Sequence, residues 1–288
     1  MNPYRGCEHG CIYCYARPYH EYLGLSAGLD FETKIFVKEE APGILRRELS
    51  RRGWTGEPLS MCGVTDPYQP VERRLGITRG CLAVMAGCRQ PVGLITKGVL
   101  VTRDADLLAE LARRGAAHVW VTIPTLDEAL RRSLEPRAGT ADARFEAVAR
   151  LAGQGVPAGV MIAPVIPGLT DHEIPALLAR ARDAGASFVS YQVLRLPGRV
   201  AELFDEWLER HAPGRRAKVL GQVRQLHDGC LGGSSFGTRF QGEGPVADLV
   251  GQLFRRTRER LGLPGAPPPL SSSAFRRPGA GLPLFDLA

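Results

Sequence analysis

Six short apolar runs alternate with longer amphipathic segments along this 288-residue chain. The runs are "KIFVK", "PLSMCGV", "VGLITK", "HVWVTIP", "PAGVMIAPV" and "FVSYQVL". They are rich in β-branched residues and apolar almost throughout, the pattern of strands buried on both faces. Between them lie segments of helical period, such as "DADLLAELARRG". There Leu107, Leu108 and Leu111 share one face and Asp104 stands at the N-cap position. Gly115, Gly155 and Gly185 fall where three helices should stop. The alternation predicts an α/β fold in which helices cover a parallel sheet. Neither GxGxxG nor GxxxxGKS/T follows any run, which argues against dinucleotide and P-loop folds. The expected architecture is a partial parallel (β/α)6 TIM-like barrel, whose active site collects at the C-terminal ends of the strands.

The barrel is expected over residues 1–212. A C-terminal helical extension follows over 213–262, where "AKVLGQVRQLHDG" and "VADLVGQLFRRTRERLGL" flank a glycine-rich loop. From Leu263 the Pro/Ser/Gly-rich remainder, 263–288, is expected to be poorly ordered. No apolar run approaches the ~20 residues that cross a bilayer, and no cleavable leader precedes Cys7, so a cytoplasmic protein is expected. Only six residues precede Cys7, which leaves little room for a first barrel strand beyond "NPYR". Either the barrel is open at that edge or sequence lies upstream.

The formal charge of +7 comes from arginine: 33 of the 37 basic residues are Arg, and the lysines are Lys34, Lys38, Lys97 and Lys218. A skew of this kind reads as genomic base composition and a solvated surface, with only modest weight for nucleic-acid binding. It also makes each lysine more informative.

Three of the seven cysteines, Cys7, Cys11 and Cys14, fall inside "CEHGCIYC". In a reducing compartment such clustered thiols read as metal or redox ligands. A structural zinc site needs a fourth ligand, for which His9 and His20 are the nearby candidates. His9 is tightly constrained between Cys7 and Cys11, and no second CxxC pair completes a ribbon. The alternative is a [4Fe–4S] cube on three thiolates, with one iron left for a non-protein ligand.

The octapeptide matches the CxxxCxxC motif of the radical S-adenosylmethionine (radical SAM) superfamily, including an aromatic, Tyr13, just before the third cysteine. Together with "NPYRGCEHGCIYCYARP", "GVTDPYQPVE", "LITKGVLVTRD" and "LEPRAGTADARFEAVARLAGQGVPAGVMIAPVIPGLTD", it resembles the branch that includes spore photoproduct lyase and the DNA repair photolyase-like proteins. The resemblance runs from about Asn2 to Leu194, and more loosely through "FGTRFQGEG". It implies a cluster on Cys7, Cys11 and Cys14 whose open iron binds S-adenosylmethionine. Reductive cleavage would then give a 5′-deoxyadenosyl radical that abstracts hydrogen from a substrate. It also implies an electron donor such as flavodoxin or ferredoxin, and a substrate that could be nucleic acid.

Carried over motif by motif, the resemblance puts Tyr13 and Tyr15 against the cofactor and Lys97 on its carboxylate. Thr65 or Asp66 would meet the amino group, Thr122 and Ala163 would line the pocket, and Arg144, near Glu135, would bind the carboxylate or ribose. Tyr68 and Cys62 are the candidate catalytic side chains, with Gln69 and Glu72 as further polar contacts. The hydrogen-donor cysteine of spore photoproduct lyase aligns with Gly63. Cys62 is its neighbour, and on a strand one residue turns a side chain to the other face. Each assignment has a structural competitor: aromatic packing for the tyrosines, a snorkelling Lys97, a surface ion pair for Arg144, a local turn at Asp66 before Pro67. Cys62, Cys81 and Cys88 read equally as core thiols, and Cys230 lies in the glycine-rich loop. Thr170 or Asp171 should cap the next helix, with Glu173 in its first turn. A reading from another class is a non-catalytic zinc- or iron–sulfur-binding module that interacts with nucleic acid.

Overall fold

A computed structural model describes residues 1–233 and 237–279. Its strands are β1 (Tyr4–Arg5), β2 (Phe36–Val37), β3 (Leu59–Met61), β4 (Val92–Thr96), β5 (Ala117–Thr122), β6 (Ala158–Val165) and β7 (Phe188–Val193). Strands β3 to β7 form one parallel sheet in sequential order. The parallel sheet therefore has five strands, not six. "KIFVK" contributes only β2, which pairs antiparallel with β1. The reason is local: Phe36 is exposed and Val37 half-buried, so this run has no apolar face to insert into a sheet core.

The helices Ile77–Cys88, Ala105–Ala112, Ala141–Gly153 and Ile174–Asp183 cover the convex face of the sheet. Leu82, Met85, Leu108, Val148 and Leu178 are fully buried there, each worth about 1.5–3 kcal/mol of apolar burial. Thr140 caps its helix by accepting the Ala143 N–H at 3.1 Å. Asp104 does not cap the helix it precedes. Its carboxylate is taken by Tyr68, Arg79 and Arg103 instead. Thr170 and Asp171 are likewise used within their own turn, accepting from Ile166 and Gly168 N–H, while the Glu173 carboxylate accepts from Thr125 and Leu126.

On the concave face, Trp120, Met161 and Phe188 pack together beside Ile95 and Ala163. Gly159 has to be bare there, because the Phe188 ring fills the space a Cβ would need. The C-terminal helices are continuous with the barrel. Phe204, Leu208, Val219 and Val223 bury against Leu134, Ile166 and Leu194, and Phe254 joins the main core beside Tyr191, ring centroids 4.7 Å apart.

The tail departs from expectation over its described part. Pro264 O accepts the Val189 N–H, Ser271 N–H donates to Gly115 O, and Arg276 N–H donates to Cys88 O. Backbone pairing and the burial of Leu263 tie this proline-rich segment down despite its composition. Residues 280–288 lie outside the described residues. No helix among the described residues is long and apolar enough to cross a membrane.

Candidate active site

The cysteine loop is held from beneath by one side chain. Arg17, 1% exposed, donates to the carbonyls of Gly10, Cys11, Ala27 and Gly28 and to the Glu32 carboxylate. A guanidinium can serve so many acceptors because its donors are fixed in one plane. Gly6, at φ +83°, turns the chain into the loop where a Cβ would lie 2.9 Å from Phe31 O. Cys7 N–H then donates to that same carbonyl at 3.0 Å.

The segment after β3 buttresses the loop from the side. Gln69 accepts the Glu8 N–H and donates to Gly6 O, Thr65 Oγ1 donates to Gly6 O, and Glu72 accepts from Tyr4. Gln69 and Glu72 are both fully buried. "TDPYQPVE" is thus largely a scaffold for the cysteines, and only its first two residues reach the space above the sheet.

That space is a cavity, open to solvent, at the C-terminal ends of the strands. Cys7, Cys11, Cys14, Tyr13 and Tyr15 form one wall. The same cavity is lined by Thr96 and Lys97 at the end of β4, Thr122 from β5, and Met161 and Ala163 from β6. Cys62 through Asp66 enter after β3, Gln192 and Val193 come from the end of β7, Leu194 and Arg195 follow it, and Phe240 joins them.

Two ionised acids and one lysine set the electrostatics. Asp66 accepts from Thr96 Oγ1 at 2.6 Å, Lys97 N–H at 2.7 Å and Tyr68 N–H at 2.8 Å. Burial pushes its carboxyl up, but His9, the Thr96 hydroxyl and the Lys97 N–H outweigh that and hold it at about 2. His9 Nε2 stands 3.5 Å from Asp66, long for a hydrogen bond, and has no other partner. The hydroxyl and backbone donors are therefore the firmer contributors. Lys97 Nζ lies 4.0 Å from Glu135 and 5.8 Å from the Tyr13 ring centroid. Burial opposes the lysine charge, yet the neighbouring charges, the Glu135 carboxylate foremost, outweigh it and keep the pKa above the ordinary value. Burial likewise acts against the Glu135 carboxylate, and Arg144, Lys97 and the Tyr13 hydroxyl overcome it.

The structure brings Cys7, Cys11 and Cys14 to this cavity together with Tyr13, Tyr15, Thr65, Asp66, Lys97, Thr122 and Ala163. Cys62 also reaches it. The opposite-face argument does not apply to this residue, because β3 ends at Met61 and Cys62 turns with φ +75°. Two site expectations lie elsewhere. Tyr68 is buried in the core, its hydroxyl donating to Asp104 at 3.1 Å, because the turn at Asp66 swings the ring away. Arg144 is neither a surface ion pair nor a cavity residue: it is 1% exposed and spends its donors on Glu135, Gly139 O and Thr122 O. Cys81 and Cys88 are core thiols, and Cys230 is exposed. Sequence reasoning passed over Arg195, Gln192 and Phe240. A charge at the end of the last strand was the available signal, masked by so many other arginines.

The donor set fits an iron–sulfur cluster better than a single ion. His20 is buried against Phe31 and Phe36 with Nε2 on Lys34 O, so it is no fourth ligand to the thiols. Among the described residues no three Cys, His, Asp or Glu converge tightly enough to hold one ion. Three free thiols from one short loop suit a cluster that gives each its own iron.

The Radical_SAM family model, described as the radical SAM superfamily, matches residues 1–181. An uncharacterized protein of Mycobacterium tuberculosis is 37% identical over 229 residues, which cover 79% of this chain and 66% of that protein. This chain thus spans a little less than two thirds of that relative's length. A mutant of spore photoproduct lyase superposes with a TM-score of 0.65 at 14% identity, covering 91% of this chain and 73% of that one. Another mutant, with bound AdoMet and dinucleoside spore photoproduct, gives 0.62 at 15% identity, over 91% and 73%. At such identities the likeness is one of fold.

Proposed function

Because this chain belongs to the radical SAM superfamily, we propose that its cavity holds a [4Fe–4S] cluster on Cys7, Cys11 and Cys14 together with S-adenosylmethionine. One observation carries the reading: the three cysteines line one cavity together with an acid, Asp66, and a lysine, Lys97. When bound and reduced, the pair supplies reductive cleavage of the sulfonium to a 5′-deoxyadenosyl radical, which takes a hydrogen atom from substrate.

The chain's own residues bind, orient and shield. Burial pushes all three thiols up, so they are protonated when empty and release protons as they become ligands. Lys97 offers a cation to a carboxylate and Asp66 an acceptor to an ammonium, a matched pair for the amino-acid end of the cofactor. Thr65 stands beside Asp66 and anchors the loop through Gly6 O. Tyr13 and Tyr15 wall the cysteine side, while Thr122 and Ala163 line the sheet side. Arg144 acts at one remove, fixing Glu135 and so Tyr13 and Lys97. Cys62, in the cavity and kept a thiol by burial, is the candidate hydrogen donor to a substrate radical. An electron donor such as flavodoxin or ferredoxin would supply the electron.

A nucleic-acid substrate is supported by the shared fold with spore photoproduct lyase, and by the rings and arginine at the cavity mouth. Anaerobic reconstitution tests the cofactor reading: the chain should take up about four irons with matching sulfide. One equivalent of zinc and no iron would instead support the non-catalytic module.

A further inference from the structure

Arg195 lines the cavity mouth just past the end of β7. Its guanidinium lies 5.6 Å from the Tyr15 ring centroid and 5.7 Å from that of Phe240. The Tyr15 hydroxyl donates to Gly63 O at 2.5 Å, and Phe240 O accepts the Val193 N–H at 2.9 Å.

Between them the cation is left unanswered. Arg195 has no acidic partner among the described residues, and its buried Nε–H finds no acceptor. The other fixed cation of the lining, Lys97, has Glu135 4.0 Å away. Arg17 and Arg144, just beneath, are fully engaged with carbonyls and carboxylates. Burial and the like charge of Arg239 both act against the Arg195 charge. A buried, unsatisfied charged donor is costly unless an anion completes it. A planar guanidinium between two rings suits a phosphate oxygen beside a base that stacks.

We propose that Arg195, flanked by Tyr15 and Phe240, is the residue that binds a phosphate of the substrate and so orients a nucleotide unit over the cavity. This deepens the nucleic-acid reading above and rests on it. The site selects for a phosphate adjoining a planar ring, and Arg195 contacts the substrate, not the cofactor.

The test titrates the full chain at low ionic strength with uridine 5′-monophosphate, uridine and inorganic phosphate, and separately with S-adenosylmethionine after reconstitution. Uridine avoids competition for an adenine pocket. The nucleotide should bind at least tenfold tighter than uridine, and R195Q should bring that ratio to within twofold of unity. R195K, which keeps the charge but not the fork, should retain an intermediate ratio and shows that the site still folds. Cofactor affinity in R195Q should stay within twofold of the parent. A tenfold ratio that survives in R195Q overturns the proposal, as does a parallel loss of cofactor affinity, which would make Arg195 a cofactor contact. Inorganic phosphate binding as tightly as the nucleotide means an adventitious ion only. The nucleotide titration needs no turnover, so a chain that binds nucleotide through Arg195 but never cleaves the cofactor would refute the activity alone.

Discussion

The Tyr13 hydroxyl, between the second and third cysteines of the motif, donates to the carboxylate of Glu135, 122 residues further along the chain. The same carboxylate accepts from Arg144 and stands 4.0 Å from Lys97. One buried acid thus ties the cysteine wall to the end of β4 and to the helix after β5. Glu135→Gln leaves Arg144 buried without its counter-charge, so the variant should lose about 3–5 kcal/mol of stability. Tyr13→Phe deletes only one donor and should lose about 1–2 kcal/mol. Urea unfolding of the two variants measures both, and equal losses would remove Glu135 from its central position.

Arg17 should govern cluster loading and not the fold. Arg17→Lys keeps a charge for Glu32 but cannot reach four carbonyls, so the Gly10–Cys11 backbone loosens. The variant should fold with a parallel sheet unchanged by circular dichroism, yet retain less than half the iron of the parent after reconstitution. Full iron content would show that the loop is held by other contacts.

Asp66 should leave a signature in acid. Its folded pKa of about 2 lies below the ordinary value of about 3.9, so its contribution is complete above pH ~4 and is lost as pH falls through ~2. At ~1.4 kcal/mol per unit the shift corresponds to about 2–3 kcal/mol. The stability gap between the parent and Asp66→Asn should therefore shrink by about that amount between pH ~5 and pH ~1. A gap constant across that window would mean that Asp66 is not held ionised by its neighbours.

Lys97 is one of four lysines and lines the same cavity as the three cysteines. Lys97→Met keeps the aliphatic stem and removes the charge. It should weaken S-adenosylmethionine binding at least tenfold in equilibrium dialysis while leaving iron content intact. Unchanged affinity would reassign the cofactor carboxylate to another donor.

Much of this was legible in local pattern. All five parallel strands and the helices over them follow from apolar runs of ordinary length, and the clustering of the three cysteines from their spacing. What the sequence hid depends on partners far away. Asp66 and Tyr68 stand two residues apart in one motif, yet the turn between them sends one to the cavity and the other into the core. Arg144 read as a cofactor ligand, with a surface ion pair as the competing reading, because Glu135 and the carbonyl of Thr122 meet it only in the folded chain. "KIFVK" looked like a strand, but a two-residue ladder with an exposed Phe36 is all its surroundings support.

The central claim is that three thiols and S-adenosylmethionine share one cavity. The most direct measurement is 5′-deoxyadenosine release by the reconstituted chain with dithionite and S-adenosylmethionine under anaerobic conditions, beside the same assay on Cys11→Ala. The account predicts release by the parent, together with methionine, and none above background by the variant. Release undiminished in Cys11→Ala, or absent from a parent that carries its full cluster, would contradict it.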